Sequence, residues 1–192
     1  MDWYVHCEEY FKETVGLNME KFLEVWAKNL PEGGRVLDLG TGSGRDAKWM
    51  VERGFEIVAI DKSLNMCEKA SNYAGIGVRH LDVLSKDFTS LYNNFFDGVW
   101  ACASLLHLSP TELPEALLNI CTSLKEGGVL FLSFKKGAEF KEEDDGRCFL
   151  YLDEVLLESY LNTTPALRAF DMWDSVDERG TVWLNSLVLK EW

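Results

Sequence analysis

The sequence lacks any long apolar run. No uncharged apolar stretch approaches the roughly 18 residues that a membrane-spanning helix requires. The first residues, Met1–Glu9, include acidic side chains where a secretory signal would have a basic segment followed by an apolar one. We therefore expect a protein with no membrane span, located in the cytoplasm.

Positive charge is also scarce. The 192 residues include 19 Lys and Arg against 32 Asp and Glu, which gives a formal net charge of −13 at pH 7. Nucleic-acid-binding domains usually carry a basic stripe, and a strongly acidic chain repels phosphate backbones on average. The charge balance therefore disfavours a nucleic-acid partner.

Cysteine and histidine are few and scattered. The 5 cysteines and 3 histidines never form a C-x-x-C pair or a cluster with zinc-finger spacing. An odd number of cysteines also fits no complete disulfide framework. We expect reduced thiols that lie mostly in the core, and no metal site.

Proline-rich linkers, internal repeats and low-complexity tracts are absent. The chain has only 4 prolines, is 47% hydrophobic, and matches the length of one ordinary domain. We predict a single domain over residues 1–192, with an N-terminal helical segment over 1–30 and a sheet core over 35–192. The oligomeric state stays open between a monomer and a homodimer.

Apolar strand-like segments alternate with amphipathic helical segments along the chain. Short β-branched and aromatic runs predict strands, and apolar residues at three- and four-residue steps predict helices. The predicted strands are 35–39, 55–60, 77–81, 96–101, 129–134, 167–173 and 182–189. The predicted helices are one before residue 31, then 45–53, 63–72, 110–124 and 152–161. The charged run 139–147 is predicted to be a surface loop.

This alternation predicts the fold class. Continuous apolar strands separated by helices are typical of parallel sheets covered on both faces. The last two predicted strands are joined by the polar turn 174–180, and such a hairpin introduces an antiparallel strand. We predict an α/β protein with a Rossmann-like, doubly wound sheet of seven strands, mostly parallel, with one antiparallel strand near the C-terminus.

The most informative segment is VLDLGTGSG, residues 36–44. Three glycines at alternate positions follow a buried strand, so the backbone can turn tightly and approach a ligand. A dinucleotide-binding turn reads G-x-G-x-x-G, whereas here the third glycine, Gly44, comes one position early. Asp61 ends the second strand, where doubly wound sheets place a carboxylate against ribose hydroxyls. Both features favour an adenosyl ligand without a pyrophosphate.

The combined pattern resembles the class I S-adenosylmethionine-dependent methyltransferases, whose first motif is an acidic residue followed by G-x-G-x-G. The resemblance extends from VLDLGTGSGRD through FDGVWACASLLHL and LKEGGVLFLSF to VWLNSLVLK. Within this family the chain is most similar to small bacterial enzymes of the tellurite-resistance and ubiquinone-biosynthesis type, on GRDAKWMVERGFEIVAID, ACASLLHL and GRCFLYLDEVL. In that group the N-terminal segment folds over the cofactor, and a Tyr is usual where this chain has Trp3.

The resemblance implies S-adenosylmethionine as methyl donor and a set of residues that bind it. The methionine half would be surrounded by Asp38, Gly40, Thr41, Gly42, Gly44 and Arg45. The ribose would bind Asp61, with Lys62 and Ser63 adjacent, and adenine would contact Met66, Asp82 and Val83. Ala101 would line the pocket behind the sulfonium.

Each of these residues also has a structural interpretation. The carboxylates of Asp38 and Asp61 could cap the helices that follow, and the glycines could serve turn geometry alone. Asp82 could be a solvated loop acid. Met66 and Ala101 could be ordinary core residues.

For the transfer, the resemblance implies attack on the sulfonium methyl in line with the C–S bond, on a small-molecule acceptor. The protein then mainly positions and desolvates the reactants. An acceptor that must lose a proton needs a base, and His107 after the fourth strand is the best candidate; its alternative is a core histidine.

Three other sets of residues are candidates for the acceptor side. Arg147 could hold an anionic acceptor, with Tyr151 nearby; alternatively Arg147 neutralises Asp144 and Asp145. Tyr10, with Tyr4 and His6, could close over the sulfonium or pack the first helix. Arg45 and Asp46 could touch the cofactor carboxylate and the acceptor respectively, or form a surface ion pair.

Three other functions remain open at this point. The first is a protein or RNA methyltransferase that recognises its target through a partner, although residues 101–104 read ACAS and not the N-P-P-Y-type tetrapeptide of amino-methylating enzymes. The second is a non-catalytic module that binds S-adenosylmethionine. The third is a nicotinamide-dependent oxidoreductase, which the glycine spacing disfavours.

Overall fold

A computed structural model describes residues 7–143 and 146–191. Its strands are β1 (Arg35–Leu39), β2 (Glu56–Asp61), β3 (Val78–His80), β4 (Phe96–Ala101), β5 (Leu124–Lys135), β6 (Glu139–Glu142), β7 (Cys148–Tyr151), β8 (Leu167–Val176) and β9 (Val182–Lys190). Its helices are α1 (Cys7–Thr14), α2 (Glu20–Ala27), α3 (Arg45–Glu52), α4 (Leu64–Ala74), α5 (Lys86–Leu91), α6 (Leu113–Ser123) and α7 (Glu154–Leu161).

Seven strands form one sheet in the order β3-β2-β1-β4-β5-β9-β8. Strands β1 to β5 are parallel, and β9 runs antiparallel to both β5 and β8. The prediction of a mostly parallel seven-stranded α/β sheet with one antiparallel strand is therefore confirmed. The strand order reverses direction between β1 and β4, and doubly wound sheets bind ligands at such a switch point.

The two faces of the sheet carry separate cores because consecutive strand residues point to opposite sides. On β4, Val99 and Ala101 pack into a large core with α6 and α7, whereas Trp100 faces the other side. There its ring stacks on Phe131 at 4.0 Å between centroids. Trp26 of α2 packs on Trp100 and donates a hydrogen bond to the Val129 carbonyl at 3.1 Å.

Several predicted elements differ from those observed. The single helix predicted before residue 31 is two helices, α1 and α2, separated at Gly16. The predicted surface loop 139–147 is instead largely a hairpin, in which β6 pairs with β7 antiparallel. The sequence pattern does not predict α5, because six residues are too few to show a helical period. The helix at 63–72 is confirmed as α4, with Ser63 capping it by accepting from the Met66 N–H.

No helix in the described ranges is long and apolar enough to cross a bilayer.

Candidate functional site

A cleft opens at the carboxyl ends of β1, β2, β3 and β4. It encloses about 710 Å³ of space with its open mouth included. Nine residues proposed from the sequence line it: Tyr10, Gly40, Gly42, Asp61, Lys62, Met66, Asp82, Val83 and His107. The remaining lining residues are Leu39, Ile60, Leu81, Ala103, Ser104, Leu105 and Leu108.

The glycine turn forms one wall of this cleft. The N–H groups of Gly40 and Thr41 both donate to the Ile60 carbonyl, at 2.9 and 3.0 Å, which holds the turn against β2. Gly40 has φ +72°, and a Cβ there would lie 2.3 Å from Ser104 Oγ. Gly44, with φ +78°, lies directly before α3, and a Cβ there would meet the Ala70 backbone. The sequence thus uses glycine where the chain approaches its neighbours too closely for any side chain.

Asp61 joins the glycine turn to the start of α4. Its Oδ2 accepts from the Gly42 N–H at 3.0 Å and its Oδ1 from the Ser63 N–H at 2.8 Å. Burial raises the pKa of this carboxyl, while the two backbone N–H groups oppose the shift. Ser63, and not Asp61, is the residue that caps α4. Each carboxylate oxygen retains a lone pair that can accept from a ligand in the cleft.

Asp38 is buried beneath the glycine turn. Thr41 Oγ1 donates to its Oδ2 at 2.5 Å. It does not cap α3, because Gly44 occupies the position before that helix and no side chain caps it. Burial, followed by the nearby Asp46 carboxylate, raises the pKa of Asp38. The cleft is thus not lined by Asp38, Thr41 or Gly44, which support the glycine turn from the side away from the cleft.

Arg45 and Asp46 form a largely buried pair with each other. Two guanidinium nitrogens contact the Asp46 carboxylate at 2.6 and 2.8 Å, and Trp100 Nε1 donates to it at 2.9 Å. Arg45 also donates to the Thr14 carbonyl of α1 at 3.2 Å. Neither residue lines the cleft, and the burial of both side chains corrects the alternative of a surface ion pair.

The turn after β4 supplies residues that sequence reasoning missed. Ala101 is fully buried on β4, and the cleft is lined instead by Ala103 and Ser104. Ala103 has φ +49°, a strained value for a residue with a side chain. Its N–H donates to Ser133 Oγ at 2.7 Å, which holds the strained turn. Backbone strain has no sequence signal when the residue is alanine.

The remaining lining residues shape the adenine end and the far wall. Asp82 Oδ1 accepts from the Leu84 N–H at 2.9 Å, which leaves its second oxygen for a ligand. Met66 is buried and still lines the cleft. Burial raises the pKa of Tyr10 to about 12, so its hydroxyl keeps its proton. The residues Trp3, Tyr4, His6, Asp144 and Asp145 lie outside the described ranges, so their suggested roles stay predictions.

His107 lies in a short 3₁₀ turn, Leu105–His107, and its ring packs against Phe149 of β7 at 4.9 Å between centroids. Burial and then the cations Lys62, Arg147 and Lys135 lower the pKa of His107 to about 4. The imidazole is therefore neutral at pH 7, as a proton acceptor must be. Arg147 and Tyr151 flank this region on the β6–β7 hairpin and are not among the residues lining the cleft.

The lowered pKa of His107 predicts a specific pH dependence of the free energy of unfolding. The unfolded chain, with a His pKa of about 6.5, binds a proton before the folded chain does, so stability falls as pH drops from about 6.5 towards 4. At pH 5 the loss is about 2 kcal/mol in the free energy of unfolding. We expect urea denaturation of the wild type and His107→Gln to show a stability difference that changes by this amount between pH 8 and 5. A constant difference across that range would contradict the lowered pKa.

The described residues contain no group of three His, Cys, Asp or Glu side chains placed to hold a metal ion.

Comparisons of the sequence with known proteins find methyltransferases. A family model described as "Methyltransferase domain" matches residues 36–128. A curated relative, a ubiquinone biosynthesis O-methyltransferase from Xanthomonas axonopodis pv. citri, is 34% identical over 126 residues, which are 64% of this chain and 52% of the relative. The chain thus spans about half the length of that protein.

Two solved structures share the fold. The 1,6-didemethyltoxoflavin-N1-methyltransferase of Burkholderia thailandensis, solved with S-adenosylhomocysteine, aligns at a TM-score of 0.77 and 21% identity, covering 98% of this chain and 83% of that one. The [4+2]-cyclase SpnF aligns at 0.74 and 18% identity, covering 98% and 93%. At such low identities, the structural likeness establishes the architecture alone. The cyclase illustrates that one architecture serves more than one reaction.

Proposed function

Because the chain belongs to the class I S-adenosylmethionine-dependent methyltransferases, we propose that it transfers a methyl group from S-adenosylmethionine to a small-molecule acceptor. The observation that carries this proposal is the fixed position of Asp61. Its carboxylate lines the cleft, and two backbone N–H groups hold it beside the glycine turn.

The residues present fit this cofactor. Gly40 and Gly42 present bare backbone to the cleft, which suits the close approach of an amino-acid group. Asp61 offers acceptor oxygens to the paired hydroxyls of a ribose. Met66, Leu81 and Val83 provide an apolar wall for adenine, and Asp82 can accept from its amino group.

When bound, S-adenosylmethionine supplies an electrophilic methyl group; its transfer forms one bond to the acceptor, breaks the C–S bond, and leaves that electron pair on sulfur. The protein's own contribution is positioning and exclusion of water. Tyr10, largely buried, packs beside Gly42 and closes one side of the cleft. His107 is neutral and can accept the proton of an acceptor hydroxyl or amine.

A small-molecule acceptor is favoured by the relatives. The curated relative is named for ubiquinone biosynthesis, and the structural neighbour for 1,6-didemethyltoxoflavin. One is an O-methyltransferase and the other an N1-methyltransferase. The two names therefore support a small-molecule acceptor, but they differ in the atom that is methylated. Mass spectrometry of metabolite extracts should reveal a compound that gains one CH₂ only when protein and S-adenosylmethionine are both present.

Cofactor binding is tested by substituting Asp61. We expect Asp61→Ala to weaken S-adenosylhomocysteine binding at least tenfold, because one or two hydrogen bonds to a charged group, each worth about 1.5–3 kcal/mol, are lost. Isothermal titration calorimetry measures the change. The same titration with NADH should show no binding to the wild type.

Asp153→Ala is the matched control for that experiment. Asp153 also accepts a backbone N–H, from Leu156 at 2.8 Å, but it caps α7 and does not line the cleft. It should lose about 1 kcal/mol of stability with unchanged affinity. Equal affinities of Asp61→Ala and wild type, or NADH binding in place of S-adenosylhomocysteine, would rule out the proposed function.

A further inference from the structure

The turn after β4 places one polar side chain, that of Ser104, directly beside the glycine turn. Ser104 is half-buried and lines the cleft, as Gly40 does. A Cβ on Gly40 would lie 2.3 Å from Ser104 Oγ, so the hydroxyl lies against the bare backbone of Gly40. The hydroxyl and the glycine turn therefore belong to the same part of the cleft wall.

The position of Ser104 is fixed, while its hydroxyl has no bond within the protein. The N–H of the preceding residue, Ala103, donates to Ser133 Oγ at 2.7 Å, and the Ser104 carbonyl accepts from the His107 N–H at 3.4 Å. None of the hydrogen bonds within residues 7–143 and 146–191 involves Ser104 Oγ. A hydroxyl has one donor and two acceptor sites, so Ser104 can bond to a ligand in the cleft without breaking another contact.

The strand order places Ser104 at the end of the cleft away from the adenine site. The strands are ordered β3-β2-β1-β4, with Asp82 after β3, Asp61 at the end of β2 and Ser104 after β4. Ligands of doubly wound sheets lie across the carboxyl ends of the strands. A cofactor with its ribose at Asp61 and its adenine near Asp82 therefore extends its amino-acid group across β1, towards Gly40 and Ser104.

The glycine turn leaves hydrogen-bond acceptors for a ligand in preference to donors. The N–H groups of Gly40 and Thr41 donate to the Ile60 carbonyl, and the N–H of Gly42 donates to Asp61. These three donors are thus used within the protein, whereas backbone carbonyl oxygens have lone pairs to spare. An ammonium group has three N–H donors and no acceptor. This end of the cleft therefore suits the ammonium of an amino acid better than its carboxylate.

The carboxylates of the site are placed elsewhere. Asp38, which the sequence suggests as the contact of the amino group, is bonded to Thr41 and does not line the cleft. Of the described residues, the carboxylates that do line it are Asp61 and Asp82, at the ribose and adenine positions. The acceptor side chain placed beside Gly40 is therefore the neutral hydroxyl of Ser104.

We propose that Ser104 Oγ accepts a hydrogen bond from the ammonium group of the cofactor's methionine half. This inference rests on the proposed function and adds a cofactor-binding residue to it. In the sequence, Ser104 is one small polar residue within ACAS. Only the close approach of Gly40, a contact between residues 64 positions apart, distinguishes it.

Truncated ligands test this contact. S-Adenosylhomocysteine has both the amine and the carboxylate, its decarboxylated analogue keeps only the amine, and 5′-methylthioadenosine lacks both groups. We expect Ser104→Ala to weaken binding of the first two about tenfold, as for a lost hydrogen bond to a charged group, and to leave 5′-methylthioadenosine unchanged. Isothermal titration calorimetry measures all three affinities. A general distortion of the cleft would weaken all three ligands alike.

Two variants serve as controls. Ser109→Ala makes the same chemical change five positions later, where the Ser109 hydroxyl lies 3.1 Å from that of Thr111 and does not line the cleft. It should leave the three affinities unchanged. Asp61→Ala should weaken all three ligands, because each of them contains the ribose.

Each outcome decides the inference. Equal effects of Ser104→Ala on S-adenosylhomocysteine and 5′-methylthioadenosine, or no effect on either, would overturn it. A loss confined to S-adenosylhomocysteine would mean that Ser104 contacts the carboxylate, which also contradicts the inference. So would an amine-dependent loss in Asp38→Asn without one in Ser104→Ala. Failure of the proposed function has a different signature, since the wild type would then bind none of the three ligands.

Discussion

Replacing Gly40 by alanine should greatly weaken the binding of S-adenosylhomocysteine while the protein still folds. The added Cβ would lie 2.3 Å from Ser104 Oγ and 2.9 Å from Ser104 Cβ, so rotating the hydroxyl relieves only part of the contact. Gly40 also has φ +72°, which costs a residue with a Cβ about 1–2 kcal/mol. The turn must shift, and the loss of two hydrogen bonds to the cofactor, each worth up to about 1.5 kcal/mol, corresponds to about a hundredfold. We expect affinity for S-adenosylhomocysteine to fall by about that factor.

The chain offers a close control for this result. Gly75, after α4, has the same φ of +72°, and nothing lies within 4 Å of the place that a Cβ would occupy there. Gly75→Ala should therefore show the backbone penalty in thermal unfolding without loss of affinity. Ser104→Gly combined with Gly40→Ala removes both close atoms and should recover part of the binding. Equal affinities of Gly40→Ala and Gly75→Ala would mean that the glycine turn does not contact the cofactor.

The sheet can be predicted from the sequence because each of its strands is indicated by a short, local pattern of residues. Strands β1 and β4 are predicted at their observed bounds, since a fully buried parallel strand is a short continuous apolar run. The glycine turn is equally readable, because a positive φ next to a crowded neighbour admits only glycine. Asp61 can be placed because the carboxyl ends of adjacent parallel strands meet at one edge of the sheet.

What cannot be predicted depends on pairing between distant residues. Residues 139–151 look like a charged loop, and only pairing of β6 with β7 turns them into a hairpin that brings Arg147 and Tyr151 near His107. Lys135 and Glu143 become neighbours through the same hairpin. Ala101 and Ala103 differ by two positions, and the strained turn between β4 and the 3₁₀ segment decides which of them reaches the cleft.

Asp46 is the clearest case of a residue whose sequence position and structural role differ. It follows the glycine turn by two positions, which suggests a contact with the acceptor. In the structure its carboxylate is 8% exposed as a side chain and is bonded to Arg45 and Trp100. The buried indole of Trp100 directs Asp46 inward, and no local pattern connects residues 54 positions apart.

We expect Asp46→Ala to lower the free energy of unfolding by about 3–5 kcal/mol, because removing one member of a buried ion pair leaves the other charge uncompensated. Arg45 would retain its bond to the Thr14 carbonyl but lose both carboxylate contacts, and Trp100 Nε1 would lose its acceptor. Asp46→Asn keeps an acceptor for the indole and should lose less. Urea denaturation at pH 7 measures all three proteins.

The control for Asp46 is an ion pair of similar geometry on the surface. Arg35 and Glu56 are 2.8 Å apart, with side chains 38% and 63% exposed, so Glu56→Ala should cost less than about 1 kcal/mol. If Asp46→Ala destabilised the protein no more than Glu56→Ala, the pair would not be buried as the structure has it. Asp46→Ala could lose much stability while its folded fraction keeps its affinity for S-adenosylhomocysteine. That result would show that Asp46 supports the turn and does not contact the ligand.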